Sequence, residues 1–304
     1  MRGLVKKSTG SWYEVMDASG STIACRVRGK MRLKGVDTTN PIAVGDEVEY
    51  HIEGDDGIIS KIFPRTNYII RQSVKKSSQA HIIASNIDQV VILATMASPR
   101  TSAGFIDRVL VAAEGFRIPQ VLLFNKQDIV DEESSEIQTS MISIYEAIGV
   151  KCMKITALNE DSLLEVKKLL SGKTSLLTGH SGVGKSTLLN SIAPDINQKT
   201  SQISDFADKG VHTTTFAEMF VIKPDIKIID TPGIKEFGLI DIESHELSDY
   251  FPEMREISDQ CKFHNCQHLH EPKCAIKDAV EEGAIALSRY KSYISMLENS
   301  DNRR

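Results

Sequence analysis

One glycine-rich loop constrains the fold of this chain more than any other feature. Gly179-His180-Ser181-Gly182-Val183-Gly184-Lys185-Ser186, followed by Thr187, matches the pattern G-x-x-x-x-G-K-[ST]. It follows the apolar run Ser175 to Thr178 and opens the helix-forming run Lys185 to Ile192. A strand before and a helix after are the context that makes this pattern a phosphate-binding loop rather than a simple turn. Its glycines let backbone N–H groups face phosphate oxygens, and the helix that follows adds its positive end. Lys185 is expected to reach the β- and γ-phosphates, and the Ser186 hydroxyl to bind Mg²⁺. The surrounding sequence fits an α/β sheet with crossover helices. The runs Asp88 to Thr95, Gln120 to Phe124, Lys151 to Thr156, Ser175 to Thr178, Phe216 to Ile222 and Ile226 to Ile229 read as strands, the first of them a continuous apolar run. Helical runs at Phe105 to Gly115, Glu132 to Ile148, Asp161 to Leu170 and Lys185 to Ile192 lie between them.

Further motifs specify the nucleotide. Asp230-Thr231-Pro232-Gly233 ends the last of these strands, where a carboxylate suits the Mg²⁺ side of a P-loop enzyme. Gly233 can free its N–H for the γ-phosphate. His212-Thr213-Thr214-Thr215 lies between the two motifs, and Thr214 or Thr215 is placed to complete the Mg²⁺ shell in the triphosphate state. Asn125-Lys126-Gln127-Asp128 stands at the end of the strand Gln120 to Phe124. A carboxylate accepts two coplanar hydrogen bonds, and guanine offers N1–H and its 2-amino group as adjacent donors. Adenine does not, so Asp128 would reject it by leaving its own charge unpaired. Thr156-Ala157-Leu158 is the kind of loop that completes a base pocket, with Ala157 at its centre. The ligand is therefore GTP or GDP, and Asn125, Lys126 and Asp128 precede the phosphate loop in the chain.

The flanks differ in character from the centre. With 304 residues the chain suggests about two domains, or three if some are small. Short β-rich runs at Ser11 to Met16, Thr22 to Arg28, Asp46 to Ile52 and Gly57 to Phe63, separated by turn formers, fit an OB-fold barrel. Net charge is −5, which does not advertise nucleic-acid binding for the whole molecule. Locally, Arg26, Arg28, Lys30, Arg32 and Lys34 alternate with uncharged residues, which gives either an RNA-backbone contact or a solvated cationic face. From about residue 241 the chain reads as helical and polar. Tyr290, Tyr293, Ile294 and Leu297 fall at helical spacing along Ala279 to Leu297, as a packing face. Cys261, Cys266 and Cys274 cluster with histidines, which points to metal before disulfide. The longest strongly apolar run, Val90 to Ala97, is far short of the roughly 20 residues that cross a bilayer. The N-terminal residues lack the apolar core of a signal peptide, so a cytoplasmic location is expected.

The motif order NKQD, TAL, GHSGVGKS, HTTT, DTPG, between a barrel-like start and a Cys/His cluster, resembles the RsgA family, also called YjeQ or YloQ. These are circularly permuted GTPases of small-ribosomal-subunit maturation. The resemblance covers nearly the whole chain. It implies a permuted α/β P-loop GTPase domain at 71–240, an OB-fold RNA-binding domain at 1–70 and a helical zinc-binding domain at 241–304. The old termini would be joined at Ser171 to Thr174. It implies one Zn²⁺ held by Cys261, Cys266, His268 and Cys274; His264 and His270 are off-pattern, although His270 could substitute for His268. It implies partners, namely the small ribosomal subunit and its rRNA, with no membrane and a monomeric chain. Ile234 stands where Ras-like enzymes carry a water-positioning glutamine, and the resemblance gives that role to His212. Gly182 stands where potassium-activated GTPases often carry an asparagine, so potassium activation by that route is not expected. Two other readings fit the same residues: another nucleotide-dependent enzyme with these flanks, and an RNA-binding module that uses GTP only as a structural ligand.

Overall fold

The computed structural model describes residues 1–27, 41–72, 80–194, 217–222, 225–231 and 242–298. Five strands come first: β1 (Arg2–Ser8), β2 (Tyr13–Met16), β3 (Thr22–Val27), β4 (Glu47–Glu53) and β5 (Asp56–Ile62). They close on themselves in the order β1-β2-β3-β5-β4-β1, with every pair antiparallel except β3–β5. Alternation along β2 and β4 turns Tyr13, Val15, Val48 and Tyr50 inward, where they pack with Val5, Cys25, Ile42 and Ile59. Closure removes the free strand edges that so small a sheet would otherwise expose. The OB-type barrel expected from the sequence is present, with Arg2–Ser8 as a further strand beyond those expected.

A hairpin not foreseen in the sequence follows, β6 (Tyr68–Gln72) with β7 (Ala80–Ser85). Asp46, wholly buried at the base of the barrel, accepts hydrogen bonds from Arg65 Nε and Nη2 and from Ser85 Oγ, all at 2.6 Å. That network ties barrel, linker and hairpin together.

All six strands expected in the central region are present: β8 (Gln89–Ala94), β9 (Gln120–Phe124), β10 (Lys151–Lys154), β11 (Lys173–Thr178), β12 (Glu218–Ile222) and β13 (Ile226–Asp230). Their order is β10-β9-β8-β11-β13-β12, parallel except that β12 runs against β13. Helices α1 (Ala103–Gly115) and α2 (Glu132–Ala147) share one hydrophobic core with the sheet, and α3 (Glu160–Leu170) and α4 (Lys185–Ile192) share the other. Ser102, Asp131 and Asn159 cap the first three helices through side-chain oxygens. The expected join is short: α3 ends at Leu170, Gly172 N–H donates to Asp225 O at 2.7 Å, and β11 begins at Lys173. Barrel and central sheet are continuous, because β1 pairs with β12 at Lys7 and Glu218.

The C-terminal helices are α5 (Pro252–Arg255), α6 (Ala275–Glu281) and α7 (Leu287–Leu297). The run from Ala279 to Leu297 is therefore not one helix. Gly283 adopts φ +80° after α6, as a helix-terminating glycine does, and α7 starts afresh. The core of this region includes Leu247, Phe251, Met254, Ile276, Ile285, Tyr293 and Met296, and it takes in Val111 from α1. Arg289 of α7 is buried, and its Nη1 donates to Asp107 Oδ1 of α1 at 2.8 Å. Among the described residues no helix is long and apolar enough to cross a membrane.

Candidate nucleotide site and metal cluster

The loop Gly179 to Gly184 runs from the end of β11 to the start of α4, at the edge of the sheet where β8 and β9 also end. Backbone conformation dictates its glycines. Gly179 has φ +151°, and a Cβ there would lie 2.3 Å from Leu93 O. Gly184 has φ +101°, and a Cβ there would lie 2.4 Å from Asn125 Nδ2. Gly184 is also the N-cap of α4 and offers no side-chain cap, which leaves the first-turn amides for a ligand. Lys185 Nζ donates to Gly179 O at 2.5 Å and to His180 O at 2.9 Å, which sets the ammonium over the loop. Ser186 and Thr187 are exposed on the first turn of α4.

Asn125 joins three motifs. Its Nδ2 donates to Val183 O of the phosphate loop at 2.9 Å, and its Oδ1 accepts from Ala157 N at 3.0 Å. The side chain is almost completely buried, so both bonds are shielded from water. Lys126 takes a left-handed conformation, φ +66°, and its Nζ donates to Ser98 O at 2.8 Å. Asp128 projects into solvent from the short 3₁₀ turn Gln127–Ile129, free to meet the edge of a base. Ala157 is buried. His180 packs its ring on Phe105 of α1, with centroids 3.8 Å apart, a contact with no signal in the sequence.

Asp230 lies at the end of β13 on the other flank of the loop. Its Oδ1 is buried with no hydrogen-bond partner, the condition of a carboxylate oxygen kept for a cation. Burial raises the Asp230 carboxyl pKa and the Lys185 charge opposes that rise. Burial likewise lowers the Lys185 ammonium while Asp230 opposes it. Each charge thus supports its partner against a shared desolvation cost. His212, Thr214 and Gly233 lie outside the described residues, as do Thr215 and Ile234. Of the basic stretch only Arg26 is described, and it faces Asp56 at 3.8 Å.

The Cys/His residues converge. One ligand atom from each of Cys261, Cys266, His268 and Cys274 falls within 4.8 Å of the others. His268 Nδ1 lies 3.4 Å from Cys274 Sγ and 3.7 Å from Cys261 Sγ. His264 and His270 are exposed and stand apart from this group. The loop is held from outside the cluster. Backbone N–H groups of Gln267, Leu269 and His270 donate to the Glu271 carboxylate at 2.9, 2.9 and 3.1 Å and hold its pKa down at about 2. Tyr290 and Tyr293 of α7 donate to the carbonyls of His268 and Gln267 at 2.6 and 2.8 Å. The tyrosine stripe is thus a packing face that also fixes the ligand loop. Burial pushes the Cys266 thiol up to about 12 and the His268 imidazole down. Three thiols and one imidazole brought together against that cost fit a tetrahedral cation that binds thiolates.

Comparison with known proteins agrees with this geometry. The family model described as RsgA GTPase matches residues 62–240, and that described as RsgA N-terminal domain matches residues 2–59. The chain belongs to the RsgA family. A Christiangramia forsetii protein described as "Small ribosomal subunit biogenesis GTPase RsgA" is 52% identical over 307 residues, covering 99% of this chain and 97% of its own. A Flavobacterium johnsoniae protein of the same description is 50% identical over 305 residues, covering 99% and 94%. Among solved structures, YjeQ from Thermotoga maritima superposes with TM-score 0.77 at 35% identity, over 100% of this chain and 99% of that one. YloQ, described as a circularly permuted GTPase, gives TM-score 0.73 at 31% identity over 100% and 96%. This RsgA-family chain therefore has the permuted GTPase fold, with an OB-like barrel ahead of it and a Cys/His cluster behind.

Proposed function

We propose that this chain hydrolyses GTP as a switch in the late maturation of the small ribosomal subunit, hydrolysis driving its release. The observation that carries the reading is the Asn125 side chain, which bonds the guanine-reading segment to the phosphate loop and to Ala157 at once. Base recognition and phosphate binding are thereby one rigid unit. Residues 1–70 and 241–304 are the RNA-contacting units on either side of the GTPase unit 71–240. Cytoplasmic action as a monomer goes with this role.

In the nucleotide site, Asp128 accepts the two guanine donors, and Asn125, Lys126 and Ala157 shape the base pocket. The backbone of Gly179, His180, Ser181, Gly182, Val183 and Gly184 cradles the phosphates. Lys185 neutralises charge at the β- and γ-phosphates, and Thr187 lines the same turn as Ser186. Ser186, Thr214 and Asp230 would hold Mg²⁺, which supplies charge neutralisation at the phosphate oxygens when bound. Gly233 offers its N–H to the γ-phosphate, and His212 orients the attacking water in place of the missing glutamine. Cys261, Cys266, His268 and Cys274 would hold one structural Zn²⁺.

The test is GTP turnover measured alone, with purified small subunits and with purified large subunits. Slow intrinsic turnover accelerated by the small subunit is expected. His212→Ala should keep nucleotide affinity and lose about 10²–10⁴-fold of the stimulated rate. Equal stimulation by the large subunit removes the proposed partner, and an unchanged rate in His212→Ala removes the proposed water-positioning group.

A further inference from the structure

Three charged residues form a row across the seam between the barrel and the GTPase sheet. Lys7 of β1 stands opposite Glu218 of β12, and Glu218 stands opposite Asp230 of β13. Both pairings are antiparallel, so directly opposed residues project from the same face of the sheet. Lys7 Nζ lies 3.1 Å from Glu218 Oε2, with both side chains about three-quarters shielded from solvent (27% and 28% exposed). Lys185 interacts with Asp230 from the far side. With Lys185 added to the row of three, the charges read plus, minus, minus, plus, and the two acids stand opposite each other on neighbouring strands. Like charges directly opposite on a sheet are destabilising unless a cation relieves them. Asp230 Oδ1 is buried without a hydrogen-bond partner. No other register pair is described between the barrel and β12.

We propose that Glu218 is a positioning residue for the magnesium side of the nucleotide site, and that Lys7 of the N-terminal barrel sets its strength. This rests on the reading that Asp230 faces Mg²⁺ bound with the nucleotide. While Lys7 pairs with Glu218, the two charges largely cancel at the metal. When Lys7 is drawn away, the full negative charge of Glu218 adds to that of Asp230 and the cation is held more tightly. A partner that engages the barrel and shifts β1 would thus change how the GTPase unit retains magnesium and nucleotide, without touching the phosphate loop.

The sign of the effect makes it testable by binding alone. Dissociation of a fluorescent GDP analogue is followed against free Mg²⁺ at low ionic strength in full-length protein. Lys7→Met should lower the Mg²⁺ concentration needed to retain the nucleotide, and Glu218→Gln should raise it, each by about 3- to 10-fold. In the double variant the Lys7→Met effect should vanish, because Lys7 acts only through Glu218. Lys7→Arg keeps the charge and should match the unmutated protein, which separates loss of charge from damage to the barrel. Shifts of the same sign, no shift, or a Lys7→Met effect that persists without Glu218 overturn the inference while leaving the nucleotide site intact. Nucleotide retention independent of Mg²⁺ in the unmutated protein overturns the nucleotide-site reading, and this inference with it.

Discussion

Replacing Arg289 with leucine should unseat the C-terminal region from the GTPase unit, and the loss should depend on pH in a defined direction. Arg289 is 2% exposed and Asp107 is fully buried. The guanidinium donates to Asp107 Oδ1 at 2.8 Å and to Glu253 at 2.7 and 3.2 Å, and it lies 4.6 Å from the centre of the Phe251 ring. Leucine keeps most of the volume and removes the charge, so Asp107 retains the Tyr145 hydroxyl at 3.0 Å but loses its cation. Breaking a buried ion pair by deleting one partner costs about 3–5 kcal/mol, because the remaining charge stays desolvated. Burial already raises the Asp107 carboxyl pKa, with Arg289 the leading opposing influence, so Arg289→Leu raises it further. An acid whose folded pKa lies above its unfolded value of about 3.9 contributes stability below that value and loses it as pH rises through the folded pKa. The variant should therefore suffer most at pH 8 and least near pH 5. Urea unfolding with hydrogen-exchange readout on residues 287–297 measures the effect locally, which suits a chain of several units. Adding Asp107→Asn to the Arg289→Leu variant should recover much of the loss at pH 8. An equal loss at both pH values, or no recovery, would show that packing rather than the buried carboxylate carries the cost.

Three further outcomes are expected. Asp128→Asn should weaken GTP binding by about 3 kcal/mol or more and shift preference toward xanthine nucleotides, as read by titration with both nucleotides. Asn125→Ala should loosen nucleotide binding by about 1–3 kcal/mol, since Val183 O and Ala157 N would each lose a buried partner; unchanged GDP dissociation would show that the three motifs hold their places without it. Protein purified without chelator should contain zinc by elemental analysis, and Cys266→Ser should lose it and loosen α6 and α7 in hydrogen exchange while GTP affinity is largely kept.

The parts of the site that sequence made legible are those in which one short segment carries a whole chemical task. The phosphate loop needs glycines at its tight approaches to Leu93 O and Asn125 Nδ2, and those glycines are visible as a pattern. The Cys/His cluster is visible for the same reason, and the structure brings together the four residues that the family resemblance implies and leaves His264 and His270 outside. Of the six central strands, β8, β9 and β11 are the most legible, because buried parallel strands read as nearly unbroken apolar runs. By contrast, β1 begins Arg2-Gly3-Leu4-Val5-Lys6-Lys7, a half-charged segment whose strand character comes from pairing with β2, β4 and β12. The stripe Tyr290, Tyr293, Ile294 and Leu297 lies wholly within α7, so its spacing says nothing of the break at Gly283 that separates α7 from α6.

Sequence alone thus determined the ligand class, the permuted motif order, the central α/β sheet and the cluster of Cys261, Cys266 and Cys274 with histidines, since each is written in residues close together in the chain. Tertiary structure alone decided what those segments lean on. Arg289 and Asp107 look like ordinary helix-surface charges until folding brings α7 onto α1 and buries both. Asp46 becomes the hub of barrel, linker and hairpin only when Arg65 and Ser85 arrive. Lys7 meets Glu218 only because β1 continues the GTPase sheet beyond β12. A buried polar partnership leaves no periodic trace in sequence, because its two halves are chosen by chain return across the fold rather than by local conformation.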